Sequence, residues 1–286
     1  MIYKNLFLLL LCVILLGLPV NAITRKTNRP THPLVFFDKE TFYSGVAQSK
    51  SKNKSFKNHI AGGIIPHHLF PGFIITDFFN RLSKQNPKTV ILIGPNHYEH
   101  GDYKALSSLY GWETPFGVIW PHDKIIRELV GNNLIRIDES VLRNDHAVVG
   151  IMPFVKHYLP RARAVPILLS GFMSKAEVQV LANTLKNYMD KDTILIAAVD
   201  FSHYLTSQEA KEKDKVTLEV IKNFDYRQLF LLNNDYMDSP PSIAALLITM
   251  QKLGATKMEL LYHINSGEMQ KNNFTPTTSY FSIAYH

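Results

Sequence analysis

The chain has 286 residues, 31 Lys plus Arg against 24 Asp plus Glu, one cysteine and 46% hydrophobic residues. That composition suits a globular protein and excludes a disordered or collagen-like chain, while the single Cys12 excludes a disulfide framework and any cysteine-based zinc site. Eight Lys/Arg and two acids fall in residues 23–58, whereas residues 59–286 carry 22 of each sign; the basic surplus therefore belongs to an N-terminal tail, and no nucleic-acid partner is expected.

In chain order, Met1 to Lys4 gives a short positive start, Leu6 to Leu18 an almost unbroken apolar run, and Val20-Asn21-Ala22 small residues near a cleavage point. This is the layout of a signal peptide over 1–22, and it predicts an exported protein: secreted, periplasmic, or tethered by an uncleaved signal. Residues 23–58, rich in Lys, Ser, Asn, Thr and Pro, read as a basic flexible tail or linker with one docking patch at Leu34-Val35-Phe36-Phe37. Such a tail also offers peripheral contact to an anionic membrane. From 59 to 286 the texture is that of one α/β domain. Strands are predicted over 60–65, 89–93, 164–169 and 193–199, and two more over 257–264 and 278–284. Helices are predicted over 73–84, 175–189 (after Ser174 as N-cap), 208–223 and 240–253. Apolar strands separated by helices imply a mostly parallel central sheet covered by helices on both faces.

In an open α/β sheet, ligands bind beyond the carboxyl ends of the strands. Strand 60–65 runs into Pro66-His67-His68, strand 89–93 into Gly94-Pro95-Asn96-His97, and strand 193–199 into Asp200-Phe201-Ser202-His203. Taken singly, each is an ordinary loop residue or a local cap, and Asp238 before Pro240-Pro241 reads as a helix start. Taken together, three histidine-bearing turns at corresponding strand ends point to one rim. Imidazoles suit first-row metals, and two His with one carboxylate leave positions open for substrate. A further His near neutral pH can act as acid or base, and a ligating His needs an acceptor to fix its tautomer, for which Asp200 is a candidate. His-Glu-x-x-His, phosphate-loop and Gly-x-Ser-x-Gly motifs are absent from the sequence.

The segments Gly62 to Phe70 (GGIIPHHLF), Ile93 to His97 (IGPNH), Glu113 to Gly117 (ETPFG), Asp145-His146, Val165 to Leu168 (VPIL) and Val199 to His203 (VDFSH) occur in the order used by the Memo-like family, also called AmmeMemoRadiSam system protein B. The chain resembles that family over about residues 59–286, and the family is similar in fold to the class III extradiol (LigB-type) dioxygenases. The resemblance implies metal ligands at His67 and His97. It places Asp238 where the family often has Cys, a departure that reads either as the loss of a soft thiolate and its copper affinity or, the favoured reading, as a carboxylate that completes a triad of His67, His97 and Asp238. It also implies acid/base roles for His203, His146 and Asp200, with His68, absent from the commoner Pro-His-Ala-Gly form, lining the pocket or substituting as a ligand. The cofactor implied is a divalent metal ion, Fe(II) first, with Cu, Mn or Zn also compatible.

Three functions follow as expectations. One is a metal-dependent, dioxygenase-like oxidoreductase acting on a small-molecule or peptide ligand in the metal cleft. Another is a non-enzymatic extracytoplasmic metal- or peptide-binding scaffold. The third, a hydrolase using Ser202 and His203, is disfavoured because neighbours in one turn rarely serve the same carbonyl.

Overall fold

The computed structural model describes residues 29–49, 54–274 and 276–286. The expected signal peptide over 1–22 lies outside these residues. The strands, in chain order, are β1 (Thr31–His32), β2 (Gly62–Ile65), β3 (Thr89–Pro95), β4 (Ala105–Ser107), β5 (Gly111–Thr114), β6 (Gly117–Ile119), β7 (Arg136–Ile137), β8 (Arg163–Leu169), β9 (Thr193–Ala198), β10 (His203–Leu205), β11 (Met258–Asn265) and β12 (Thr277–Tyr285). The main sheet has the order β10-β12-β2-β9-β3-β8-β4-β7, with β11 added on β12. Its centre, β2-β9-β3-β8, is parallel throughout. β12 joins β2, and β4 joins β8, in the antiparallel sense.

The parallel strands are apolar on both faces because both faces are covered. Along β3, Ile91 and Ile93 enter one core with Leu195 and Ala197 of β9, while Val90 and Leu92 enter the other with Ile194 and Ile196. The first core is closed by the helices Asp123–Gly131, Lys175–Leu185, Ser207–Lys222 and Pro240–Leu253. The second is closed by Lys39–Gln48, Gly72–Leu82 and Met152–Tyr158. Gly63 on β2 lets Phe78 reach the sheet, since a Cβ there would meet its ring at 2.4 Å. The chain thus adopts the expected α/β architecture, with helices on both faces of a mostly parallel sheet.

The N-terminal segment departs from the expected flexible linker. β1 pairs in parallel with β5, and Asp38 caps the helix Lys39–Gln48 by accepting from the Thr41 N–H. Phe42 of that helix is buried against Phe37, Phe116 and Phe154, with ring centroids 4.8–5.5 Å away. Gly45 allows the helix to touch Gly72–Leu82, because a Cβ at Gly45 would lie 2.7 Å from the Gly72 carbonyl carbon. Aromatic burial against a glycine-cleared helix face outweighs the polar composition, and residues 29–49 are part of the folded domain. Between β3 and β8 the sequence predicted no elements. There the chain forms β4, the β5–β6 hairpin, β7 and the short helices Glu139–Asn144 and His146–Val149.

Candidate metal centre

Sheet register brings the site together. β2 and β9 run in register with Ile65 opposite Ala198, so two residues further on His67 and Asp200 leave the sheet side by side. There the His67 backbone N–H donates to Asp200 Oδ1 at 3.1 Å. β9 also pairs with β3, Ile93 opposite Ala197, and His97 leaves past the same edge. Asp238 arrives from the helical side. A bridge between Phe201 and Met237 aligns the two segments; the Asp238 N–H donates to the Asp200 carbonyl at 3.1 Å, and Asp238 Oδ2 accepts the Asp200 N–H at 3.3 Å. The next residue, Ser239, caps the helix Pro240–Leu253, whose prolines occupy the first turn where no N–H is required.

Asp238 Oδ2 lies 3.3 Å from His67 Nε2 and 4.0 Å from His97 Nε2, and Asp200 Oδ2 lies 3.6 Å from His67 Nε2. The His67 and His97 rings meet edge-on at 4.9 Å, and His146 stacks on His97 at 4.1 Å. Two donor sets share His67: His67, His97 and His146, and His67, Asp200 and Asp238. Within each set the ligand atoms all lie within 4.8 Å of one another.

Both central imidazoles are held in the tautomer a metal needs. His67 Nδ1 is 3.1 Å from the Ala198 carbonyl oxygen; a carbonyl only accepts, so Nδ1 carries the proton and Nε2 presents its lone pair inward. His97 Nδ1 donates to Asp145 Oδ1 at 2.8 Å, and its backbone N–H donates to Asp145 Oδ2 at 2.8 Å. Asp145 also accepts the Ala147 N–H as cap of the helix His146–Val149. The tautomer-fixing carboxylate is therefore Asp145, a role the sequence reading missed although it noted the Asp145-His146 pair. Asp200, expected to fill it, sits instead on the Nε2 side of His67, among the donors.

Burial raises the Asp145 carboxyl, but the hydrogen bond and charge of His97 outweigh it and leave the group below its ordinary range. Burial pushes His67 well below the usual imidazole value, helped by His97 and His146. His146 is lowered by burial and then by His97, and His203 chiefly by burial. On the acidic side, burial raises Asp200, and burial followed by the charge of Asp200 raises Asp238 well above the carboxylate range. His67 and His146, whose protonation burial disfavours, stand beside two mutually opposed buried acids, a donor set short of positive charge. Asp238 Oδ1, buried and without a hydrogen-bond partner among the described residues, is one more open acceptor. A divalent cation fits this set on both counts.

The other sequence-derived candidates separate. His146 joins the cluster directly. His203 lies outside both donor sets, at the start of β10, with its Nδ1 buried and without a partner among the described residues. His68 is exposed, its Nδ1 2.8 Å from the Tyr280 hydroxyl, and belongs to neither donor set. Ser202 is buried and donates to Asp214 at 2.7 Å, which commits its hydroxyl away from the role of a nucleophile. Phe36 of the N-terminal patch reaches the centre, its ring 6.0 Å from that of His146.

Comparison with known proteins identifies the family. A family model described as Memo-like protein matches residues 40–283. A MEMO1 family protein of Methanosarcina barkeri is 31% identical over 223 residues, covering 74% of this chain and 82% of that protein. A MEMO1 family protein of Sulfurisphaera tokodaii is 30% identical over 175 residues, covering 58% of this chain and 62% of the relative. Among solved structures, the uncharacterized protein JW3007 of Escherichia coli K12 is similar in fold alone. It has a TM-score of 0.50 at 12% identity, covering 78% of this chain and 99% of that one. The match from residue 40 includes the helix Lys39–Gln48 almost entirely, in keeping with its packing. By the extent of the family match and by its similarity to the Methanosarcina relative, the chain belongs to the Memo-like family.

Proposed function

We propose that the protein holds one divalent cation at His67, His97 and Asp238 and works as a metal-dependent oxidoreductase, Fe(II) being the first choice of metal. The observation that carries this reading is the position of Asp238 Oδ2, 3.3 Å from His67 Nε2 and 4.0 Å from His97 Nε2, with both imidazoles in the ligating tautomer. When bound, the cation supplies Lewis acidity toward a substrate oxygen and, as Fe(II), one-electron chemistry. The chain's own residues do the rest. Asp145 and the Ala198 carbonyl orient the imidazoles, and Asp200 adds negative charge beside His67. His146, stacked on His97, and His203, with a free Nδ1, hold or move protons. The ligand is a small molecule or a peptide. Residues 1–22 support export of the chain.

A second reading, a non-enzymatic metal holder, has one observation in its favour. The three-imidazole set of His67, His97 and His146 suits copper or zinc without any carboxylate.

Metal analysis of protein loaded anaerobically with Fe(II) tests the first step, with about one equivalent expected and loss in the His67→Ala, His97→Ala double variant. Protein that takes up none of Fe(II), copper or zinc refutes both readings, and uptake of copper or zinc without Fe(II) refutes the first. Oxygen uptake followed across a panel of catechols then separates them, since a metal holder binds without turnover.

A further inference from the structure

A cleft of about 690 Å³ opens at the carboxyl ends of β3 and β8, on the far side of the loop that carries His97. Its walls are preformed. Asn96 is buried and spends both ends of its amide on His100, Nδ2 donating to the His100 carbonyl at 2.7 Å and Oδ1 accepting its N–H at 3.2 Å. Glu99 holds a left-handed backbone (φ 49°) and Gly101 a φ of 91°, which close the loop into a tight ring. Glu99 Oε1 accepts the Gly171 N–H at 2.7 Å and ties this ring to the loop after β8. Opposite, the capping box of Ser174 and Glu177 fixes the start of the helix Lys175–Leu185.

The lining has two characters. Leu134, Met173 and Leu181 form an apolar floor, while Phe172 and Val180 at the rim are 76% and 53% exposed. Large apolar side chains left in water around a concave surface mark a ligand site more often than chance. The charged groups are Glu99, Asp102 and Glu177 against Lys104, and Lys104 is already engaged by both oxygens of Glu177 at 2.9 and 3.0 Å. Asp102 has no ion-pair partner among the described residues. The cleft therefore carries net negative charge over an apolar floor.

We propose that this cleft binds an organic amine with an aromatic or aliphatic body, at a site separate from the metal centre. The apolar part lies against Phe172, Met173 and Leu181, and the ammonium group faces Glu99 and Asp102. The volume falls within the range of small-molecule sites, roughly 300–1,000 Å³.

The probe is tryptamine, with indole-3-propionate as a size-matched acid, titrated calorimetrically into the full chain. Saturable tryptamine binding is expected, with the acid at least about tenfold weaker. Val180→Trp fills the rim, and Asp102→Asn with Glu99→Gln removes charge while the glutamine carbonyl still accepts from Gly171. Each is expected to weaken tryptamine severalfold, with unfolding midpoints unchanged because Val180 and the two acids are at the surface. A dissociation constant above about 10 mM, equal binding of acid and amine, or indifference to Val180→Trp overturns the proposal. The same titration in the His67→Ala, His97→Ala variant keeps it distinct from the metal reading. Retained tryptamine binding is expected there; its loss assigns the amine to the metal centre and overturns the separate site.

Discussion

Asp145 takes the ring Nδ1–H of His97 at 2.8 Å and the backbone N–H of the same residue at 2.8 Å, so one carboxylate fixes both the rotation and the tautomer of that imidazole. The Oδ1 that faces the ring also accepts the Ala147 N–H, and Oδ2 accepts the His97 backbone N–H, so asparagine cannot serve all three donors. With its oxygen toward the ring it sets an amide N–H against the His97 backbone N–H, and turned over it loses both the ring and the cap. Asp145→Asn is expected to weaken metal affinity by about 10–100-fold, with a loss of stability from the unpaired buried donor. Competition against a chelator of known affinity measures the change, and an unaltered affinity would mean that Asp145 does not orient the ligand.

Asp238 predicts the opposite balance between binding and stability. Its carboxyl is buried beside Asp200, and both burial and that neighbour oppose its ionisation. Asp238→Asn removes the opposition at nearly constant shape. In chelator the variant is expected to unfold at higher urea, by roughly 1 kcal/mol, while its metal binding falls. Asp238→Cys is expected to shift preference toward zinc and copper, because thiolate is the softer donor. Urea midpoints and paired metal competitions test the two halves separately. A destabilised Asp238→Asn in chelator contradicts the assignment of buried repulsion.

How much of this was legible beforehand follows from local signal strength. The central strands were readable because Ile64, Ile91 and Ile194 lie in unbroken apolar runs, and their ends exposed His67, His97 and Asp200. Antiparallel pairing of β12 with β2 was not readable, since direction leaves no mark on an apolar run. Asp145 was missed as an orienting group because it lies 48 residues from His97 and meets it only through the fold. The short helix that it caps has four residues, too few for any periodic pattern. The segment 29–49 was misread for a related reason. Lys, Ser, Asn, Thr and Pro make up much of residues 23–58 taken as a whole, while the residues that dock the segment, Phe37, Phe42 and Gly45, are few and act through distant partners.

That docking has a measurable consequence. Phe42 is fully buried among Phe37, Phe116 and Phe154, and truncating a buried phenylalanine costs about 3–5 kcal/mol through lost transfer energy and a residual cavity. Phe42→Ala is expected to lower the stability of the whole domain by that order, read as a shift in the urea midpoint with an unchanged slope. A tail that merely rested on the surface would leave the midpoint where it was. Because Phe36 of the same segment approaches His146 at 6.0 Å, weakened metal affinity is expected in the same variant.

Acid sensitivity is expected at the helix Lys175–Leu185. Hydrogen bonds from the Ser174 N–H, from Lys104 and from the Ser174 hydroxyl pull the Glu177 carboxyl down from 4.5 to about 2. A depressed carboxylate stabilises the folded chain in full above its unfolded value and loses that contribution as the folded value is approached. The window therefore runs from pH 4.5 downward toward about 2. Glu177 is solvent-exposed and its pairing with Lys104 is screened, so the magnitude follows from the capping box, roughly 1 kcal/mol, and not from the size of the shift. Glu177→Gln keeps a side chain able to accept from the Ser174 N–H but has nothing to titrate. Its stability is expected to fall less steeply than that of the parent between pH 4.5 and 2. Ser174→Ala is expected to lose about 1 kcal/mol at neutral pH. Urea unfolding at a series of pH values gives both results, and parallel acid limbs for the parent and Glu177→Gln would show that this carboxylate carries no linkage to folding.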